Sequence, residues 1–179
     1  MKAFVRFGAL ALIASGTLSL SGCFNGPSST EPAYVAPSGS PTVYPAGVLS
    51  VAGAQREIAG IYPAANAASC CWVGPDVRFR VRAAAGAKTL SLRLYEPNVG
   101  NLATSQQQVS LLDADGRVFS SAPMPGGIQT VTLRLPPESA SARELVVRLR
   151  MSASIVPSDI GLNSDARQLS LILLSARAH

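Results

Sequence analysis

Histidine is almost missing from this sequence, since His179 is the only one in 179 residues. There is also no G-x-S-x-G elbow, no H-E-x-x-H and no P-loop, so no nucleophile with its base, zinc-protease helix or phosphate cradle can be recognised. A carboxylate pair such as Asp76 and Glu96 would in principle suffice for glycoside hydrolysis, but spacing in sequence does not bring the two together. Enzyme activity is therefore not expected. Charged residues make up 14% and aromatic residues 6% of the chain, which argues against a nucleic-acid binder. Three cysteines require no disulfide framework, and no second cysteine pair or internal histidine completes a four-ligand zinc site, so neither metal nor cofactor is expected. The N-terminal apolar run, Ala9-Leu10-Ala11-Leu12-Ile13-Ala14, is far shorter than the ~20 residues that span a bilayer.

What the N-terminus does contain is the layout of a secretory signal. Lys2 and Arg6 form a basic start, the apolar run follows, and Leu20-Ser21-Gly22-Cys23 closes it with small residues before a cysteine. This lipobox resembles that of bacterial lipoprotein precursors. The resemblance implies cleavage before Cys23, with residues 1–22 removed, Cys23 diacylated on sulfur, and its new amino group acylated in turn. Two or three chains anchor stably where one is marginal, each buried methylene contributing roughly 0.8 kcal/mol. In that family an aspartate after the cysteine marks inner-membrane retention, and here Phe24 stands there. The implied location is the outer membrane, facing the periplasm. Loss of Lys2 and Arg6 lowers the formal charge from +5 to about +3, and about 157 residues remain, enough for one domain.

Residues 23–47 read as the lipidated cysteine and a flexible tether, with prolines at 27, 32, 37, 41 and 45 among serines and glycines. Its reach is roughly 30–70 Å between the coil and polyproline limits. From residue 48 to 179 the apolar period is two, the strand signature. Alternation runs through Val77–Arg82, Leu90–Leu94, Val131–Leu135 and Leu145–Met151, and Gln168–Ser175 is apolar on both faces, as in a central strand. Turn signals recur between these runs, at Ala85-Gly86-Ala87, Asp113-Ala114-Asp115-Gly116, Pro123–Gly127 and Pro136-Pro137. The prediction is an all-β fold, a single antiparallel β-sandwich of jelly-roll or immunoglobulin-like kind, with short helical turns only near Ser139–Arg143 and Ala52–Gly60.

Three stretches, Trp72-Val73-Gly74-Pro75-Asp76-Val77-Arg78-Phe79, Tyr95-Glu96-Pro97-Asn98 and Val156–Leu162 with Asp165–Leu171, resemble β-sandwich modules of bacterial cell-surface polysaccharide systems. The resemblance covers roughly residues 70–176 and implies a sandwich more strongly than an activity. It departs at Cys70-Cys71, before the tryptophan, and in having no attached enzyme domain.

Candidate binding residues follow from chemistry. In an oxidising periplasm Cys70 and Cys71 form a vicinal disulfide, stay as buried thiols, or bridge to another chain. The first is strained across a trans peptide, whose Cα atoms are ~3.8 Å apart, but would offer a flat sulfur face beside Trp72 for a sugar ring. Trp72 itself is either core or platform. Arg78, Arg80 and Arg82, with Arg93, Arg134, Arg148 and Arg150, fall opposite the apolar residues of their strands. They make either a solvated face or a guanidinium stripe for carboxylates and phosphates. Asp113-Ala114-Asp115-Gly116 lacks the further carboxylates of a calcium loop and reads as a hairpin turn. Asp165 and Arg167 are expected to make a structural bridge. The expected function is a membrane-anchored, non-catalytic envelope module that binds carbohydrate, with a structural subunit of an envelope protein complex as the alternative.

Overall fold

Alternation of large apolar with polar side chains makes strands here, because it lets each strand bury one face and solvate the other. The computed structural model describes residues 43–49, 58–62 and 70–179. The expected signal, Cys23 and the expected tether up to residue 42 lie outside them. The strands are β1 (Ala59–Tyr62), β2 (Trp72–Arg82), β3 (Thr89–Glu96), β4 (Gln107–Leu112), β5 (Val118–Met124), β6 (Gly127–Arg134), β7 (Glu144–Met151) and β8 (Leu171–Ala178). They pair antiparallel in the order β5-β4-β7-β2-β8-β3-β6, with β1 added to β2. The result is an all-β sandwich, nearly closed into a barrel. Short 3-10 turns at Gly100–Ala103 and Pro137–Ser141 are the helical elements among the described residues. The second matches the turn expected near Ser139. Of the other expected turn, Ala59 and Gly60 instead begin β1, while residues 52–57 lie outside the described set.

β2 holds the two layers together. Its end, Asp76 to Arg82, pairs with β7, whereas Trp72 and Val73 pair with β8. The change of partner falls at Gly74-Pro75, where proline has no N–H to give to a ladder. Val73, Val77, Phe79 and Val81 point inward and meet Leu90, Leu92 and Leu94 of β3, Leu149 of β7 and Leu171 and Leu173 of β8 in one core. A smaller cluster of Leu102, Ile155 and Leu169 lies beyond it, with Trp72 and Tyr62 packed against it.

On the other side of the sandwich no backbone ladder closes the sheet, and β5 and β6 meet through Ser120 Oγ, which donates to Arg134 O at 2.9 Å. β5 and β6 are joined by only Pro125 and Gly126, yet they do not pair, and each is the last strand on its side. Gly126 and Gly127 both hold positive φ, +93° and +65°, a conformation that swings the chain from one layer to the other instead of closing a hairpin.

The domain begins earlier than residue 48. Pro45 and Val48 are buried, and Val43 and Tyr44 pack on the main core. Residues 43–49 form a strap between β8 and β2, where these two strands no longer pair with each other. Ala46 N–H donates to Leu174 O at 3.2 Å, Ala176 N–H to Ala46 O at 2.9 Å, and Leu49 N–H to Arg80 O at 2.9 Å. Gly47 is required in the strap, because its φ is +86° and a Cβ there would collide with the Ala176 carbonyl oxygen. Proline and serine content disguised the apolar residues that seat this segment.

Candidate functional site

Cys70 and Cys71 are joined to each other by a disulfide, across a cis peptide with Cα atoms 3.0 Å apart. Both side chains are buried in the main core, and their sulfurs lie 3.5 and 3.3 Å from the Val43 carbonyl oxygen of the strap. That burial removes the expected sulfur platform, since no flat S–S face is left for a sugar ring. Trp72 is half-buried and its ring leans on the Leu102, Ile155 and Leu169 cluster. It supports the loops at this end of the sandwich and keeps only part of its surface in contact with solvent. Nearby, Arg167 grips Asp165 with two guanidinium nitrogens, at 2.6 and 2.8 Å, and lies 4.6 Å over the Tyr62 ring. The hydrogen bonds from Arg167 hold the Asp165 carboxyl below its usual range despite partial burial. The pair fixes the entry to β8.

The arginines of β2 do not act as one row. Arg80 reaches diagonally to Glu144 of β7 at 3.4 Å, and Arg82 sits opposite the same Glu144 in register. Arg150 of β7 takes the Asp76 carboxylate at 3.1 Å. Acidic partners missing within each strand are thus supplied across the ladder. Arg78 is different, because register places it directly opposite Arg148. Arg148 donates to the Ala114 carbonyl at 3.1 Å, and both guanidinium groups border two adjoining hollows of about 480 and 310 Å³. Arg93 and Arg177 lie on the other layer, around a third hollow of about 370 Å³ with His179, whose Nε2 is 2.8 Å from Ser91 Oγ.

One further site was not singled out as a binding site from the sequence. Glu96 ends β3 and is only 5% exposed, and its Oε1 is sealed from solvent with no hydrogen-bond partner. It lies in the wall of a cavity of about 660 Å³ between the β3–β4 connection and the β5–β6 turn. Desolvation pushes its pKa up. Gln107, at the same cavity, is buried but satisfied: its Oε1 accepts from Ala153 N–H at 2.7 Å and Ser152 Oγ at 3.0 Å, and its Nε2 donates to Ala153 O at 3.0 Å. The signal for Glu96 was present in the period-two run Leu90, Leu92, Leu94, Glu96, which puts the carboxyl on the core face. Asp76 opens instead into the hollow beside Arg78, so the two carboxylates border different cavities and do not form a glycosidase pair.

Asp113-Ala114-Asp115-Gly116 is a hairpin turn. Asp113 accepts from the Arg117 N–H at 2.9 Å, and Gly116 N–H returns to Asp113 O at 3.1 Å. Comparison with protein-family models, with curated proteins and with solved structures finds no match.

Proposed function

We propose that this chain is a lipid-anchored protein of the bacterial outer membrane whose β-sandwich binds acidic envelope polysaccharide without chemical turnover. The observation that carries the reading is the pairing of Arg78 with Arg148. Like charges directly opposite on neighbouring strands destabilise a sheet, and neither guanidinium has a carboxylate partner in the ion pairs of this face. Uronate carboxylates or phosphates arriving there relieve that repulsion through charge-assisted forks. Arg150, two residues along the same strand, borders the same hollow but is already paired with Asp76, so the two facing arginines carry the recognition. The lipobox supports the anchoring, and no helix among the described residues is long and apolar enough to cross a membrane.

The test is titration of the protein with polygalacturonate against neutral dextran. Polygalacturonate is expected to bind, to weaken as salt shortens the screening length below ~8 Å, and to be lost in Arg78→Ser/Arg148→Ser. Equal binding of dextran, or no change in the double variant, overturns the reading. For the anchor, Cys23→Ala is expected to leave the washed membrane fraction.

A second reading rests on the seam without a ladder, spanned by the Ser120 to Arg134 hydrogen bond. β5 and β6 each present an unpaired edge, and Val118, Phe119 and Ile128 are exposed beside it. Such edges pair readily with another strand, which is what a structural subunit of an envelope complex needs. Ile128→Lys with Val118→Lys would abolish assembly on this reading and leave polygalacturonate binding untouched.

A further inference from the structure

We propose that the cavity between the β3–β4 connection and the β5–β6 turn is a binding site for a small molecule bearing a primary ammonium group, received by the carboxylate of Glu96. The site is independent of the arginine face and has the opposite charge preference. Among the residues lining it, Glu96 is the only charged or titratable one. Its carboxylate is therefore uncompensated, in a place where burial has stripped most of its water. An isolated buried charge is costly, and the remedy available inside a protein is an opposite charge with hydrogen bonds.

The shape agrees. Leu102, Met124 and Pro123 give the cavity apolar wall, while Asn98, Ser105 and Gln106 offer hydroxyl and amide groups, the usual mixture of apolar surface with a few polar groups that fix orientation. At about 660 Å³ the space suits a ligand of one or two rings. Gly126 keeps it open over the carboxylate. A Cβ at that position would stand 3.8 Å from Glu96 Oε2, so any larger side chain would occupy the place of the incoming ammonium. Gln107 cannot neutralise the site, because its amide carries no charge, and its Oε1 and one Nε2 hydrogen are already engaged with Ser152 and Ala153. A neutral hydroxyl donor would satisfy one oxygen, but a cation also balances the charge, and charge-assisted bonds are about twice as strong.

The experiment is calorimetric titration of the whole protein at neutral pH with glucosamine, ethanolamine and N-acetylglucosamine. The expected result is binding of glucosamine, no binding of N-acetylglucosamine, and loss of at least about tenfold in affinity in Glu96→Gln, the scale of one hydrogen bond to a charged group. Ethanolamine binding as well would mark the ammonium alone as the determinant, and its failure would mark an amino sugar as the source. A measurement on the unaltered protein guards against a misfolded variant. The ammonium stays charged as pH falls, so glucosamine affinity should drop once pH passes below the raised pKa of Glu96. Equal binding of N-acetylglucosamine, no glucosamine binding, or affinity independent of both pH and Glu96→Gln overturns the proposal. None of these results alters the polygalacturonate test.

Discussion

Gly47→Ala should damage this protein more than Gly86→Ala, a change whose effect is conformational alone. The backbone there is left-handed, φ +86°, and the added methyl would meet the Ala176 carbonyl oxygen. Holding alanine in that region costs about 1–2 kcal/mol. Relief of the collision requires the strap to move off β8, releasing the bonds from Ala46 N–H to Leu174 O and from Ala176 N–H to Ala46 O, each a net ~0.5–1.5 kcal/mol. The sum is about 2–5 kcal/mol, or roughly 5–20 °C in Tm for a domain of this size. Gly86→Ala isolates the first part, since Gly86 has φ +75° and nothing within 4 Å of its Cβ position. It should lose only about 1–2 kcal/mol. Thermal denaturation followed by far-UV circular dichroism, with urea unfolding to convert shifts to free energy, measures both. Equal losses within ~0.5 kcal/mol would refute the reasoning, because the strap would then not close on β8.

Two further outcomes are open to the same assays. Burial raises the pKa of Glu96 above its ordinary value of 4.5, so the folded state holds that proton more tightly than the unfolded chain; its stabilising contribution is full below the ordinary value and lost as pH rises through the raised one. Glu96→Gln should therefore be the more stable protein at neutral pH, with the difference vanishing on acidification, and a variant less stable at pH 7 than at pH 4 relative to the parent would contradict this. Trp72→Ala should cost about 1.5–2.5 kcal/mol, half of the ~3–5 kcal/mol for a fully buried aromatic, whereas Phe79→Ala, fully buried, should reach the whole range; urea midpoints that coincide would place Trp72 in the core.

The strands that alternate cleanly were legible from the sequence. Phe79 between Arg78 and Arg80, Leu92 between Ser91 and Arg93, and Leu133 between Thr132 and Arg134 each announce a buried and a solvated face, and the structure places them so. β4 was hidden because its first inward position is Gln107, a polar residue that only tertiary contacts with Ser152 and Ala153 can satisfy. β5 was hidden because an open edge needs little apolar content, and Val-Phe-Ser-Ser-Ala-Pro-Met has its proline and serines where a central strand would have Val or Leu. The arginine faces were readable as faces but not as pairs, since cross-strand register decides that Arg80 meets Glu144 while Arg78 meets Arg148. Glu96 was readable as inward, but its cavity depends on two loops folding toward each other.

The strap has a mechanical consequence. On the lipid-anchored reading proposed above, with residues 43–49 seated between β2 and β8, residues 24–42 would be left to connect Cys23 with the domain, a span of at most about 60 Å at the polyproline limit. A pull between membrane and a bound polymer would, on that reading, enter the described fold at Val43 and run along the strap, parallel to β8. Its hydrogen bonds to Leu174 and Ala176 then share the force in shear, and cannot peel apart one at a time. Beneath the same point the buried Cys70–Cys71 ring backs the Val43 carbonyl. On that reading, tension from the anchor would reach the fold at the joint between its two layers, where the strap is bonded to both β8 and β2.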